Sequence, residues 1–197
     1  MGGLTGQNDG VRKKTVRRKL REAIGGSDLV RIDRVSRPSQ TVEGFVVSVG
    51  KRWVLIQQTM DGGFFDGHVA IRISEVRRVR EDSSFESAFA RTRPEWPPTQ
   101  PRSGRNVELD TTAGLFASLA SRGQLFGIER NKKYDATWIG VLDEVAPPWL
   151  YMREVRPDAT WHEEPRGYRL RTITLALVGT HYLQGLTSIA EPAPAAS

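Results

Sequence analysis

The sequence predicts a mainly β fold with short helices ahead of its strands, written twice in tandem. Three observations predict it. Short runs rich in Val and Ile recur between turn residues, as half-buried strands do. A helix-forming stretch precedes five such runs in each half of the chain. Finally, GFVVSVGKRWVLIQQ (Gly44–Gln58) returns 96 residues later as GVLDEVAPPWLYMRE (Gly140–Glu154).

The first helix is expected over residues 11–24, VRKKTVRRKLREAI, which holds neither Gly nor Pro. Val16, Leu20, Ala23 and Ile24 fall at helical spacing and make one apolar stripe, and Gly25-Gly26 ends the helix. The period then shortens to that of strands over 29–35, 42–49, 52–58, 68–73 and 75–79. Pro38-Ser39, Gly50-Lys51 and Asp61-Gly62-Gly63 supply the turn chemistry between them. Ser84 to Ala90 reads as a short helix, and a Pro-rich linker without regular period follows. The second half repeats the plan, with a helix over 111–123 and strands over 124–130, 136–145, 149–155, 168–171 and 173–179.

Leu29–Gln58 lies on Leu125–Glu154 without a gap, and seven of the 30 pairs are identical. Unrelated segments of ordinary composition share about two. The identical pairs include Gly44/Gly140, Val49/Val145 and Trp53/Trp149. One inserted residue later, Ile71, Ile73 and Val76 meet Tyr168, Leu170 and Ile173. This is two copies of one supersecondary unit. Each copy is long enough for a five-stranded barrel that hides its edges, and an interior strand glycine supplies the sharp bend such a barrel needs.

The expected organisation is therefore a disordered N-terminus over 1–10, a first unit over 11–80 and a Pro-rich linker over 81–110. A second unit over 111–183 and a flexible tail over 184–197 complete it.

No run of 18 to 20 apolar residues is present, so no membrane insertion is expected. The first ten residues hold no apolar core for a signal peptide, and cysteine is absent. Together these point to a cytoplasmic protein without disulfides, thiolate chemistry or Cys-ligated zinc. The net charge of +6 is uneven. Residues 1–80 carry 16 Lys and Arg against 8 Asp and Glu, whereas residues 81–197 carry 13 against 15. The basic excess belongs to the first half, where it can attract a polyanion such as nucleic acid or an anionic membrane surface, or simply keep the protein soluble.

Gly44, Val46, Val49 and Trp53–Ile56, and again Gly140, Leu142, Val145 and Trp149–Met152, resemble the strand-two and strand-three pattern of the Sm-like family. That family includes the Sm proteins and the bacterial RNA chaperone Hfq. The close spacing of the last two strands, HVAIRI-SEV and GYRLR-TITL, is similar as well. The resemblance implies two tandem Sm-like five-stranded small β-barrels, each preceded by an α-helix. It also implies RNA as a ligand and self-association through barrel edge strands. The family's RNA signatures are not matched. Gly50 and Ala146 stand where the family usually has Asp, and Val54 and Leu150 where many members have Asn. The Arg-Gly and Tyr-Lys-His signatures are missing.

The nucleic-acid-binding candidates are therefore basic residues of the first unit. They are Arg12, Lys13, Lys14, Arg17, Arg18, Lys19 and Arg21 on the helix, Lys51 and Arg52 in the second turn, and Arg77, Arg78 and Arg80 on the fifth strand. The plain alternative for these is a solvated face whose long side chains cover apolar surface. Trp53 and Trp149 read as packing residues, and Trp138 and Trp161 as interface residues. His68, His162 and His181 are scattered, and Glu163-Glu164 beside His162 does not make a metal set. No nucleophile elbow, Walker loop or dinucleotide fingerprint occurs. The expectation is a binding protein without cofactor or catalytic residues. The rival expectation is a protein-interaction or assembly module whose Trp-rich second unit carries the contact.

Overall fold

The computed structural model describes residues 4–101, 106–131 and 135–194. The first helix, α1 (Leu4–Glu22), turns Val16 and Leu20 into the core and stops at Gly25, whose φ of +71 favours glycine. Five strands follow: β1 (Leu29–Arg34), β2 (Thr41–Val49), β3 (Trp53–Met60), β4 (Phe64–Arg72) and β5 (Val76–Asp82). A short helix, α2 (Phe85–Ala90), leads into the linker. The second half comprises α3 (Thr112–Leu119), β6 (Phe126–Arg130), β7 (Trp138–Ala146), β8 (Trp149–Glu154), β9 (Arg166–Arg169), β10 (Ile173–Val178) and α4 (His181–Ile189).

The halves pair alike. The first half runs β5-β1-β2-β3-β4 across the sheet and the second runs β10-β6-β7-β8-β9, all antiparallel. Registers match position by position. Val30 faces Gly44 as Phe126 faces Gly140, and Trp53 faces Arg72 as Trp149 faces Arg169. Even the irregularity in the second strand recurs, between Val46 and Ser48 and between Leu142 and Glu144. Gly44 and Gly140 sit where a Cβ would run into the carbonyl oxygens of Gln57 and Arg153, so both copies need glycine at the bend.

The two closed barrels expected from the sequence are replaced by one open sheet of ten strands. The physical reason is the pairing of β4 with β10, in which Leu175, Ala176, Leu177 and Val178 face Ile71, Ala70, Val69 and His68. Each unit spends one edge on the other unit, and β5 and β9 remain as the outer edges. Strand β3 is consequently buried on both sides. Trp53 and Leu55 pack with Phe126, Leu115 and Leu150 of the second half, while Val54 and Ile56 pack with Leu20, Ile32 and Val79 of the first.

Two boundaries also differ from expectation. Helix α1 begins at Leu4, inside the stretch read as disordered, while residues 1–3 lie outside the described ones. Helix α4 reaches Ile189, inside the stretch read as a flexible tail. Thr180 caps it by accepting from Leu183 N, and Leu183 and Leu186 bury against Leu125, Val141 and Val155. Residues 195–197 of that tail lie outside the described ones. The Pro-rich linker is packed rather than loose: Trp96 sits edge-on to Phe45 at 5.0 Å, and Val107 and Leu109 are buried in the shared core. Among the described residues no helix is long and apolar enough to cross a membrane.

Candidate nucleic-acid interface

The turn between β2 and β3 is fixed from three sides. Arg17 on α1 donates through Nη2 to Lys51 O at 2.7 Å. The linker reaches in from the opposite side, where Leu109 O accepts from Arg52 N and Trp53 N at 3.1 and 3.0 Å. Asp110 accepts from Lys51 N at 2.8 Å and meets its ammonium at 3.1 Å. The Lys51 hydrogen bonds and charge hold the Asp110 carboxyl below the usual carboxylate range. Arg52 is exposed at this rigid turn.

Arg72, at the end of β4, ties the units together. Its Nε donates to Ile173 O at 2.8 Å, and its Nη2 donates to Leu170 O at 2.8 Å and to Thr112 Oγ1 at 3.2 Å. These acceptors are all neutral. Burial, then the charge of Arg52, pulls the Arg72 pKa down from its ordinary value, and Glu75 offsets only part of this. Two like charges thus share one place on the surface.

They share a groove. Lys13, Arg17, Lys51, Arg52 and Arg72 line a cleft of about 200 Å³ on the first unit. Arg52 and Arg72 also line a second cleft of about 400 Å³, together with Arg169, Arg171, Thr111, Thr112 and Pro148. The shared pair makes one basic groove that crosses from the first unit to the second. Its cations come from α1, from the β2–β3 turn, from the ends of β4 and β9 and from the turn after β9.

Four of the twelve candidate residues therefore converge there: Lys13, Arg17, Lys51 and Arg52. Lys14, Arg18 and Arg21 line a shallow cleft on the outer face of α1, where Arg18 pairs with Glu22 at 2.8 Å. Arg12 is half-buried and Lys19 exposed on the same helix. Arg77 and Arg80 lie elsewhere, held at 3.7 and 2.8 Å from the buried carboxylate of Asp33, and Arg78 is exposed on the same edge strand. Sequence reasoning missed Arg72, Arg169 and Arg171. A signal existed for two of them, since Arg72 and Arg169 occupy matching places between the matched residues Ile71/Tyr168 and Ile73/Leu170.

The tryptophans read as interface residues have partners within the chain. Trp138 lies against Tyr168 with Arg130 over its ring, and Trp161 Nε1 donates to Glu191 O at 2.9 Å. Tyr168 donates its hydroxyl to buried Glu154, and burial together with that carboxylate drives its pKa far up. Among the described residues no group of three or more His, Asp or Glu is placed to hold a metal ion.

No protein-family model, curated protein or solved structure matches the chain.

Proposed function

We propose that the protein is a non-catalytic polyanion-binding protein of the cytoplasm, made of two tandem Sm-like units, and that its ligand is RNA. The observation that carries this reading is the groove in which Arg52 and Arg72 join the cations of α1 to Arg169 and Arg171 of the second unit. Arginines placed along a groove contact phosphates without reading sequence, and each contact releases counterions. The Sm-like reading is supported by the helix and five strands of each half and by the pairing of the units edge to edge. Neither half has the family's RNA signature, so the grip is on the backbone and not on a particular base.

The test is a salt titration of the purified chain with a fluorescent single-stranded RNA, beside a duplex of the same length. Affinity is expected to fall steeply and linearly on a log–log plot against salt. Absence of measurable binding at low salt, with a protein partner recovered free of nucleic acid, would establish the interaction-module reading in its place.

A further inference from the structure

The two outer edges of the sheet are copies of the two strands that meet in its middle. Strand β5 corresponds to β10 and β9 to β4, because Val76 and Ile173, and Arg72 and Arg169, stand at matching positions. The inner joint pairs β4 with β10 head to tail, so one molecule's β9 is set to pair with the next molecule's β5 in the same way. A contact of that kind does not use up its own edges. It propagates into a ring or a filament. The question is whether the outer edges still carry the residues that make the joint.

They do not. At the inner joint Leu175 faces Ile71, Ala176 faces Ala70, Leu177 faces Val69 and Val178 faces His68. In the same register, one molecule against the next would set Arg78 opposite Tyr168, Val79 opposite Gly167, Arg80 opposite Arg166 and Glu81 opposite Pro165. An apolar pair becomes two arginines, and directly opposed like charges destabilise a ladder. Pro165 brings a residue that has no N–H to give. The arginines are also anchored. Arg80 lies 2.8 Å from the buried Asp33 carboxylate and Arg166 lies 3.6 Å from that of buried Glu154. Moving either arginine aside weakens the pairing of a carboxylate that is out of water. Charged residues and proline are how exposed sheet edges are protected from pairing.

We infer that Arg78, Arg80, Pro165 and Arg166 are edge guards that confine the head-to-tail joint to the interior of one chain. The chain is its own two-unit assembly and carries one basic groove per molecule. This holds whether or not RNA is the ligand, since it rests on the edges and not on the groove.

The experiment grafts the joint's own residues onto each edge separately. One protein carries Arg78→Leu and Arg80→Leu, and the other carries Pro165→His and Arg166→Val. Light scattering coupled to size exclusion reads the mass, and circular dichroism checks that each protein is folded. The unaltered chain is expected to run at the mass of one chain up to its solubility limit, and so is each graft alone, because its opposite edge is still guarded. Mixing the two grafts is expected to double the mass, giving a one-to-one pair capped by the remaining guards. An unaltered chain that runs as an oligomer overturns the inference. So do two folded grafts that stay single when mixed.

Discussion

The Arg72 guanidinium lies 4.9 Å above the ring of Trp53, its cross-strand neighbour, and Arg169 lies 4.8 Å above Trp149 in the same way. One motif thus stands at two stations with different surroundings. Trp53 is fully buried because α3 of the second unit covers it, and its Nε1 donates to Thr112 Oγ1 at 3.2 Å. Trp149, on β8 beside the outer edge strand β9, is only half-buried. The same pair is a joint fastener in one place and an edge feature in the other. Replacing Arg72 with Met leaves the Ile173 and Leu170 carbonyls and the Thr112 hydroxyl short of a donor, and should cost about 2–4 kcal/mol in urea unfolding. Arg169→Met loses only the contact with the Trp149 ring and should cost less than about 1 kcal/mol. Equal effects at the two sites would show that Arg72 does not fasten the joint.

The glycines at the bends make a second matched pair. A methyl group at Gly44 or Gly140 meets a backbone carbonyl of the neighbouring strand, which cannot swing away as a side chain can. Gly44→Ala and Gly140→Ala should each cost more than about 1 kcal/mol. Gly123→Ala has open space around its added methyl and meets only the strain of a φ of +77, so it should cost about 1 kcal/mol, the smallest loss of the three. Thermal unfolding of the three variants side by side orders them.

Much of the fold was legible because it is written in local period. The short apolar run WVLI in RWVLIQQ marks β3 and the stripe of Val16 and Leu20 marks α1, and the repeat tells which strands correspond. Closure was not legible. A period says which face of a strand is buried, not which neighbouring edge it meets. Leu175 and Ile71 are apolar enough for a closed barrel or for a joint between barrels. Helix α4 was missed because only Leu183 and Leu186 of its nine residues are buried, too sparse a stripe beside a Pro- and Ala-rich end. The groove was half legible. Charge counts found Arg52 and Arg17, but they discounted the second unit, whose net acidity hides two arginines that the fold turns towards the first.

A buried ionic contact also joins the units. Arg34, 1% exposed, holds Nη2 2.8 Å from Glu129 Oε2, and Arg37 Nε reaches the same oxygen at 2.8 Å. The Arg34 contact is a close ion pair whose angles fall outside hydrogen-bond geometry. Arg34→Met removes one of the two cations beside a buried carboxylate, and Glu129→Met strands buried Arg34, whereas Arg37 keeps Asp135 and the Ala136 carbonyl. Each single change should destabilise by about 3–5 kcal/mol, and the double change by clearly less than their sum. A double-mutant cycle in denaturant measures the coupling, and additivity would mean that the pair is not coupled across the joint.

His68 gives the stability a pH dependence with a definite sign. Its Nε2 donates to Thr99 O at 2.7 Å, pinning the linker to β4, while burial lowers its pKa from the ordinary value more than that hydrogen bond raises it. The unfolded chain therefore binds a proton more readily than the folded one. Stability is full above the unfolded value of about 6.5 and declines as pH falls through and below it. His68→Gln should flatten this slope between neutral pH and the onset of carboxylate protonation. Unfolding free energies at a series of pH values test it, and an unchanged slope in the variant would assign the effect to another group.

Charge reversal separates the groove from general basicity. Arg52 of the first unit and Arg171 of the second both line the larger cleft, and both are exposed. Arg78 is equally exposed on the outer edge strand β5 and lines neither cleft. If a phosphate backbone runs through the groove, Arg52→Glu and Arg171→Glu should each weaken RNA binding about tenfold and lower the log–log salt slope by about one, whereas Arg78→Glu should leave both nearly unchanged. Arg171 is the sharper of the two tests, because it belongs to the half of the chain whose net charge is negative. An effect there requires that the ligand cross from one unit to the other. Loss of affinity with Arg52→Glu and none with Arg171→Glu would confine binding to the first unit, and equal losses for all three would mean that RNA responds only to net charge.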